Sequence, residues 1–398
     1  MKASLLSAPL EAFRRIDRAL GQRSGHRRIL VDARTPVNYT VFAPLHRVMA
    51  QDPRLSFFFT ASEEPERLGE IYREAPGITL IAPSAARRMR FDAYVASDFM
   101  WQSLPRGTRR IQTFHGVGGK YGFDAPTTSM RDWDRIFFVN ERRLRNFIKA
   151  GAIDANSPAI RLVGYPKMDA LVNGAWTRAG VHESLGLDSA LPTLLYAPTW
   201  SPASSLNAVG EELMARLLAT GANVIVKLHD RSRDLRPEYS GGIDWVARLE
   251  SLLRSESSAM RGTSRGVIAP GHDISPYLVA ADVMITDHSS AGFEFLLRDR
   301  PIVRIDRPSL IRDANIHSDY VELLASVSSS VISVDEAVRA VEEALASPDA
   351  LGSTRRAVAA DIFYRPGGAT ARAVRNLYEA VDLEPALATA AEEATCRP

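Results

Sequence analysis

Cysteine is almost absent from this chain of 398 residues, and the one example, Cys396, lies close to its end. A lone cysteine excludes an intramolecular disulfide and a cysteine metal cluster, and it favours a cytoplasmic location. The sequence also lacks a run of about 18 apolar residues of the kind that crosses a membrane. Its first twenty residues contain charges that interrupt the hydrophobic region of a signal peptide. We therefore expect a globular protein of the cytoplasm.

Lysine is scarce as well: the 49 basic residues comprise 44 arginines and 5 lysines, and the net charge is only +2. This balance gives no reason to expect a nucleic-acid partner. Three of the lysines, Lys120, Lys167 and Lys227, fall inside the motifs described below, where lysine supplies a compact, flexible point charge. The histidines lack metal-ligand spacings such as HExxH, so we expect neither a protein-held metal nor a cofactor.

The first 28 residues predict a helix, because Leu6, Leu10, Phe13 and Leu20 follow a roughly helical spacing. Two interpretations remain open. A basic amphipathic helix can rest on an anionic membrane surface, which would make the protein peripheral on the inner face of the membrane. An ordinary surface helix would pack on the first domain instead.

Short β-rich runs alternate with helical patterns along the chain, which is typical of parallel α/β architecture. The first series of strands is predicted at 28–33, 55–60, 93–97, 110–114 and 135–140, with a further short strand, ITLIAP, between the second and third. The second series is predicted at 193–198, 223–229, 266–270, 283–287, 301–306 and 331–334. Each series fills one doubly wound sheet, so we predict two Rossmann-like domains facing a cleft, at 29–175 and 190–367, then a helix at 368–383 and a disordered tail at 384–398.

The stretch RRIQTFHGVGGKYGFD, residues 109–124, combines a strand, a histidine and a glycine cluster. It is no Walker loop, because Phe114 and Tyr121 occupy places that require glycine and serine or threonine. It predicts His115 at the carboxyl end of a strand, followed by a loop that carries Lys120. A histidine there can act as a general base, or it can simply bind backbone.

The stretch NVIVKLH repeats this arrangement in the second domain. Strand alternation predicts that Lys227 and His229 share one face of the strand. Because the carboxyl ends of the strands in both domains would border one cleft, we expect His115 and His229 to meet across it.

Residues 272–303 contain the strand VMITD, the pair Ser289 and Ser290, and a new helix that contains Glu294. Serines at a helix N-terminus predict an anion site, with phosphate as the anion, while the alternative is simple helix capping. Glu294, one turn further on, is predicted to accept hydrogen bonds from ribose hydroxyls. The DWD triplet at 132–134 precedes a strand, so we interpret it as a turn rather than a metal motif.

The ordered set FHGVGGK, GYPKMDAL, LLYAPTWS, VIVKLH and DISPYLVAADVMITDHSSAGFEF resembles the CDP-glycerol glycerophosphotransferase family, the teichoic acid polymerases and primases. With the closing RPGGATARAVRNLYEAV, the resemblance spans residues 111 to about 381. It implies a GT-B fold, a first domain that binds the acceptor, and a second that binds a CDP-activated donor. The implied reaction transfers glycerol phosphate to an acceptor hydroxyl with release of CMP.

The resemblance also implies roles for particular residues. His115 and His229 match the family's functional histidines, and we favour His115 as the base. The residues predicted to bind the donor are Gly116, Lys120, Thr199, Lys227, Asp273, Asp287, Ser289, Ser290 and Glu294. The continuation VGGKYGFD departs from the family's pattern, which leaves open a polyol phosphate, a glycan or a lipid-linked acceptor.

Two other functions fit parts of the pattern. A GT-B glycosyltransferase or a UDP-sugar epimerase would share the fold and use a nucleotide sugar. A two-lobed binding protein without catalysis would also close on a small molecule, but strand-end histidines in both lobes would then have no evident purpose.

Overall fold

The computed structural model describes residue 16 and residues 25–75, 77–120, 132–259 and 266–385. The predicted helix at 1–28 and the predicted tail at 384–398 lie almost wholly outside these residues. Within the described part of the chain, no helix is both long enough and apolar enough to cross a membrane.

The chain forms two compact units. The first comprises Met1–His115, Asp124–Lys167 and Tyr364–Pro398, and the second comprises Gly116–Phe123 and Met168–Phe363. The units therefore divide elsewhere than at the predicted boundaries of 175 and 367: residues 168–175 lie in the second unit and the terminal helix lies in the first.

The first unit contains a parallel sheet of seven described strands. These are β1 (Arg27–Asp32), β2 (Leu55–Thr60), β3 (Thr79–Leu80), β4 (Ala93–Ser97), β5 (Arg109–Thr113), β6 (Arg135–Phe138) and β7 (Ile160–Leu162). They lie in the order β3-β2-β1-β4-β5-β6-β7. The second unit contains a parallel sheet of six described strands: β8 (Thr193–Tyr196), β9 (Asn223–Val226), β10 (Gly266–Ile268), β11 (Val283–Thr286), β12 (Ile302–Ile305) and β13 (Ser329–Val331). Their order is β10-β9-β8-β11-β12-β13.

Helices connect the parallel strands. Those of the first unit are α1 (Pro36–Met49), α2 (Leu68–Ile71), α3 (Pro83–Ala86) and α4 (Glu141–Lys149). Those of the second are α5 (Asp169–Val172), α6 (Arg178–Leu185), α7 (Ser205–Leu218), α8 (Pro237–Ser240), α9 (Trp245–Ala259), α10 (Ser275–Ala280), α11 (Ala291–Phe295), α12 (Pro308–Asp313), α13 (Ser318–Ser326), α14 (Val334–Ala346) and α15 (Gly352–Ile362). The last helix, α16 (Ala369–Ala380), returns to the first unit.

Burial on both faces explains the apolar composition of the central strands. All residues of β4, β8, β9 and β11 are buried, as is typical of parallel strands covered by helices on both sides. At this level of burial each large apolar side chain contributes about 1.5–3 kcal/mol to folding. Polar residues at the ends of these strands therefore stand out as candidates for function.

The terminal helix α16 packs into the core of the first unit. Its Val374, Leu377 and Tyr378 are buried with residues of the first sheet and α1, and the Tyr378 hydroxyl donates to Asp52 at 3.0 Å. Gly164, in the GYPK motif, has a φ of +89°, and a Cβ there would lie 2.6 Å from the carbonyl oxygen of Tyr364. The motif therefore requires glycine at this position, because the chain segment that returns to the first unit at Tyr364 passes directly beside it.

Two strand predictions were wrong in detail, and one strand was missed. The strand predicted at 223–229 ends at Val226, because the His229 side chain accepts the Arg231 N–H and starts a 3-10 helix (Asp230–Arg233). The strand predicted at 331–334 is β13, shifted toward the N-terminus because Ser333 caps α14. The three-residue β7 was not predicted, since it is short and only half-buried.

Candidate active site

The strand order of each sheet determines where its loops form a crevice. The order reverses between β1 and β4 in the first sheet and between β8 and β11 in the second. Open α/β sheets bind ligands at such a reversal, outside the carboxyl ends of the strands. Each unit accordingly has one candidate edge for a ligand.

In the first unit this edge carries His115, two residues beyond β5, with 42% of its side chain exposed. Its Nδ1 is hydrogen-bonded to the carboxylate of Asp98, which follows β4. The Tyr165 hydroxyl donates to the carbonyl oxygen of His115 at 2.7 Å, which fixes the backbone as well. A proton held on Nδ1 leaves Nε2 as the unprotonated nitrogen, the form that a general base requires.

The carboxylate of Asp98 lies among positive charges. Burial opposes its ionisation, but the charge and hydrogen bond of His115 and the charges of Arg143 and Arg34 together hold its pKa below the usual value. Arg143 is itself buried beneath the ring of Phe114, with 4.3 Å between guanidinium and ring centre. Its burial lowers its pKa to about 10, in spite of the opposing charge of Asp98.

In the second unit, the loop that follows His115 in sequence carries Lys120. The Nζ of Lys120 donates to the Thr199 hydroxyl at 2.8 Å, and its carbonyl oxygen accepts the His317 N–H at 3.0 Å. Burial lowers the pKa of Lys120 to about 8, although the carboxylate of Asp287 acts in the other direction. Lys120 is thus a positive group of reduced basicity beside the loop after β8.

Asp287, which follows β11, organises this edge from within. Its side chain has no exposed surface, and it accepts the Thr199 N–H at 2.9 Å, the Ser205 N–H at 3.0 Å and the Ser205 hydroxyl at 2.9 Å. Asp273 likewise accepts the N–H and hydroxyl of Ser275 at the start of α10. These bonds give both carboxylates a role in positioning the loops, and the donor contact predicted for each of them stays a prediction.

His229 lies three residues beyond β9, not within a strand. Its Nδ1 accepts the Arg231 N–H at 3.2 Å and lies 2.7 Å from the carboxylate of Asp230. Its ring centre is 6.2 Å from that of Trp200, which follows Thr199. Lys227 is buried and donates to the carbonyl oxygen of Gly271. The prediction that strand alternation aligns Lys227 with His229 was therefore wrong, because the strand has already ended.

The serine pair precedes α11, a helix of only five residues that a 3-10 turn (Leu296–Arg298) extends. The Ser289 hydroxyl accepts the Ala291 N–H at 3.4 Å, whereas Ser290 makes no side-chain capping bond. Because α11 is so short, the predicted anion site there depends on its first N–H groups rather than on its dipole. Glu294 is 4% exposed and Gly116 has open space around it.

Sequence reasoning did not identify Asp98 and Asp230, the carboxylates beside the two histidines. The signal for Asp98 was present, because it directly follows the predicted strand at 93–97 and so lies at the same edge as His115. Whether His115 and His229 share a site stays a prediction, since they belong to different units. No cluster of three or more His, Cys, Asp or Glu suited to a metal occurs among the described residues.

Two doubly wound parallel sheets, each with charged groups at the carboxyl edge of its reversal point, define an α/β protein of the GT-B fold class. The family described as CDP-Glycerol:Poly(glycerophosphate) glycerophosphotransferase matches residues 44–378, so the chain belongs to that family. The family and fold predicted from the sequence are thus confirmed.

Individual relatives agree with this assignment. The chain is 25% identical over 228 residues to the teichoic acid poly(glycerol phosphate) polymerase of Bacillus spizizenii, covering 51% of this chain and 53% of that protein. It therefore spans about half the length of this curated relative. A structure of the wall teichoic acid polymerase TagF soaked with CDPG superposes with a TM-score of 0.64 at 16% identity, over 96% of this chain and 98% of that one. The Staphylococcus aureus MnaA-UDP structure gives 0.55 at 13% identity, over 90% and 98%. These two likenesses establish the fold.

Proposed function

We propose that this protein transfers glycerol phosphate, or a related polyol phosphate, from a CDP-activated donor to an acceptor hydroxyl and releases CMP, in the synthesis of a cell-surface polymer. Membership of the glycerophosphotransferase family supports the reaction class. The observation that carries the proposal is the partly exposed His115, whose Nδ1 is hydrogen-bonded to the Asp98 carboxylate, an arrangement suited to a base. The TagF structure soaked with CDPG supports the choice of donor.

In the proposed reaction, Nε2 of His115 takes the proton of the acceptor hydroxyl. The acceptor oxygen forms a bond to the phosphorus that bears glycerol, and the bond from that phosphorus to the bridging oxygen breaks. The bridging oxygen leaves with the electron pair as part of CMP. Catalysis of this kind consists mainly of positioning and of stabilising charge on the phosphates.

Residues of the second unit supply that stabilisation in our proposal. The Nε2 of His229 is proposed to donate to a phosphate oxygen, while the Nδ1 side of its ring is held by the Arg231 N–H and the Asp230 carboxylate. Lys120 adds a positive charge beside Thr199. Lys227, which is buried two residues before His229, is proposed to add a second positive charge. Gly116, Ser289 and Ser290 are proposed to offer close backbone approach, N–H groups and hydroxyls, and Glu294 to accept from the donor's ribose. These contributions need neither a metal nor a cofactor.

Donor turnover tests the proposal. The purified protein is supplied with CDP-glycerol, CDP-ribitol or a panel of UDP-sugars, and nucleotide products and the mass of the acceptor are followed. We expect CMP from a CDP-polyol and a matching mass gain, both reduced about 10²- to 10⁴-fold in His115→Ala. His26→Ala, which alters an exposed histidine of the same unit, serves as control.

Turnover of a UDP-sugar instead would establish the alternative reaction, an epimerase or glycosyltransferase. The similarity of MnaA to this chain in fold makes that outcome the relevant competitor.

We further propose that the protein acts in the cytoplasm at an anionic membrane surface, on a polyol phosphate, glycan or lipid-linked acceptor. The basic amphipathic pattern of the first 28 residues supports this location. The full chain should sediment with anionic liposomes, and deletion of residues 1–22 should abolish that sedimentation. Absence of sedimentation for the intact protein would contradict the proposal.

A further inference from the structure

The contact between Asp98 and His115 involves a backbone that pays a conformational cost to make it. Asp98 and Phe99 both have positive φ angles, 53° and 62°. Left-handed backbone is unfavourable for most residues other than glycine, and such residues cluster at functional sites. Two successive examples at the carboxyl end of β4 therefore call for a reason.

Neighbouring bonds hold this turn in place. The Asp98 N–H donates to the Thr113 carbonyl oxygen at 3.0 Å, and the Phe99 N–H donates to the Gln112 side chain at 2.8 Å. The hydroxyls of Ser97 and Thr113 are 3.0 Å apart. Each bond joins the end of β4 to the end of β5. These bonds therefore fix the position of the turn relative to the strand that leads to His115.

We infer that Asp98 is a positioning residue for His115: its carboxylate fixes the ring proton on Nδ1 and presents the unprotonated Nε2 to the acceptor hydroxyl. The inference rests on the proposed role of His115 as base. When Nε2 accepts the acceptor proton, the Asp98 carboxylate also stabilises the resulting imidazolium. Asp98 touches neither donor nor acceptor in this assignment, so it acts on turnover and not on donor affinity.

The surroundings of Asp98 keep its carboxylate ionised for this task. The groups that face it are His115 after β5, Arg143 in α4, Arg34 after β1, and Asn38 of α1, whose amide donates to it at 3.5 Å. The two arginines are cationic, His115 becomes cationic when it takes a proton, and Asn38 donates a hydrogen bond. All four groups therefore favour the ionised form of the Asp98 carboxyl group. The ionised Asp98 carboxylate is therefore an acceptor for the Nδ1–H of His115.

The tautomer of His115 can be measured on the wild-type protein without substrate. Protein labelled with ¹⁵N-histidine is titrated by NMR, with His115→Asn used to assign the resonance, because protonated and unprotonated ring nitrogens have well-separated shifts. We expect Nδ1 protonated and Nε2 unprotonated in the neutral form. The opposite tautomer would overturn the inference, whatever the enzyme's substrate proves to be.

Variants then test the consequence. Asp98→Asn keeps a side chain that tolerates the left-handed backbone, but its amide can stabilise the wrong tautomer. We expect kcat with CDP-glycerol to fall roughly tenfold to a thousandfold and the Kd of the donor to stay unchanged. The loss should be smaller than that seen when the fully buried aspartate of a Ser-His-Asp triad is changed to asparagine. Asp98→Glu, which restores the charge, should recover part of the loss.

Two controls separate positioning from a structural effect. Asp134→Asn removes a carboxylate at the amino end of β6, the opposite edge of the same sheet, where it accepts the Arg110 N–H at 2.8 Å, and should leave kcat unchanged. Combined with His115→Ala, Asp98→Asn should cause no further loss, since a residue that acts through His115 has nothing left to act on.

Additive losses in that double variant, or an unchanged kcat in Asp98→Asn, would overturn the inference. Lack of turnover by the wild type with any CDP-polyol would instead contradict the proposed function and leave the NMR result to decide on Asp98.

Discussion

At the scale of single residues, the burial and hydrogen-bond partners of a histidine distinguish a candidate general base from a histidine of the core. His46 and His288 are buried, and burial lowers the pKa of each to about 4, so both stay neutral near pH 7. The side chain of His115 is partly exposed and is hydrogen-bonded to a carboxylate. The sequence alone allowed His115 to be placed at a strand end, because the apolar run before it and the glycines after it delimit the strand. The position of Asp98 after the predicted strand at 93–97 indicates the same edge of the sheet, but its pairing with His115 depends on β4 and β5 being neighbours.

Lys120 leads to a prediction about pH. Its pKa of about 8 means that the ammonium is present below pH 8 and is lost as the pH rises through that value. We expect the affinity for CDP-glycerol to fall about tenfold between pH 7 and pH 9, as roughly nine-tenths of the ammonium is lost. Isothermal titration calorimetry across this range measures the effect.

Lys120→Arg provides the matched control for this titration, because a guanidinium stays charged throughout the range. The affinity of this variant should be independent of pH above 7. A wild-type affinity that is equally independent of pH would mean that the Lys120 charge does not contact the donor.

At the scale of elements, sequence reasoning succeeded where an element is buried on both faces and failed where it is short. The strand predicted at 93–97 coincides with β4, all of whose residues are buried. The three-residue β7 was missed because it carries too few residues for a period to register, whereas β3 was predicted but has only two of the six residues of ITLIAP. Likewise, a serine pair before an apolar run predicts a helix but not its length, and α11 is only five residues long.

The loop after His115 is held to the second unit by a close approach at Gly118. A Cβ at this position would lie 2.6 Å from the buried ring of Phe293 and 3.0 Å from that of Tyr320. We expect Gly118→Ala to destabilise the protein by about 1–3 kcal/mol and to weaken donor binding, because the loop that carries Lys120 must shift. Thermal unfolding and donor titration measure the two effects.

Gly116→Ala is the matched control for stability, since a Cβ there meets no atom within 4 Å. It changes the same residue type two positions away in the same loop. Equal melting temperatures for the two variants would show that the loop does not pack as described.

At the scale of the whole molecule, the domain boundaries were the least predictable feature. The chain passes from the first unit to the second after His115 and returns after Phe123, then passes again after Lys167 and returns after Phe363. Composition marks neither the short passage at Gly116–Phe123 nor the return after Phe363. The destination of α16 depends on contacts with strands and helices more than 200 residues earlier, and these are invisible to local patterns.

Truncation tests this return of the chain. Removing residues 364–398 deletes the buried Val374, Leu377 and Tyr378 and the bond from Arg372 to the Val163 carbonyl oxygen. Three such side chains contribute about 5–9 kcal/mol, comparable with the whole stability of a typical domain. Hydrogen exchange should therefore show lost protection in β1–β7, while β8–β13 stay protected. Removing only 386–398 should leave both sheets protected, and an equal loss in both sheets after the longer truncation would contradict the assignment of α16 to the first unit.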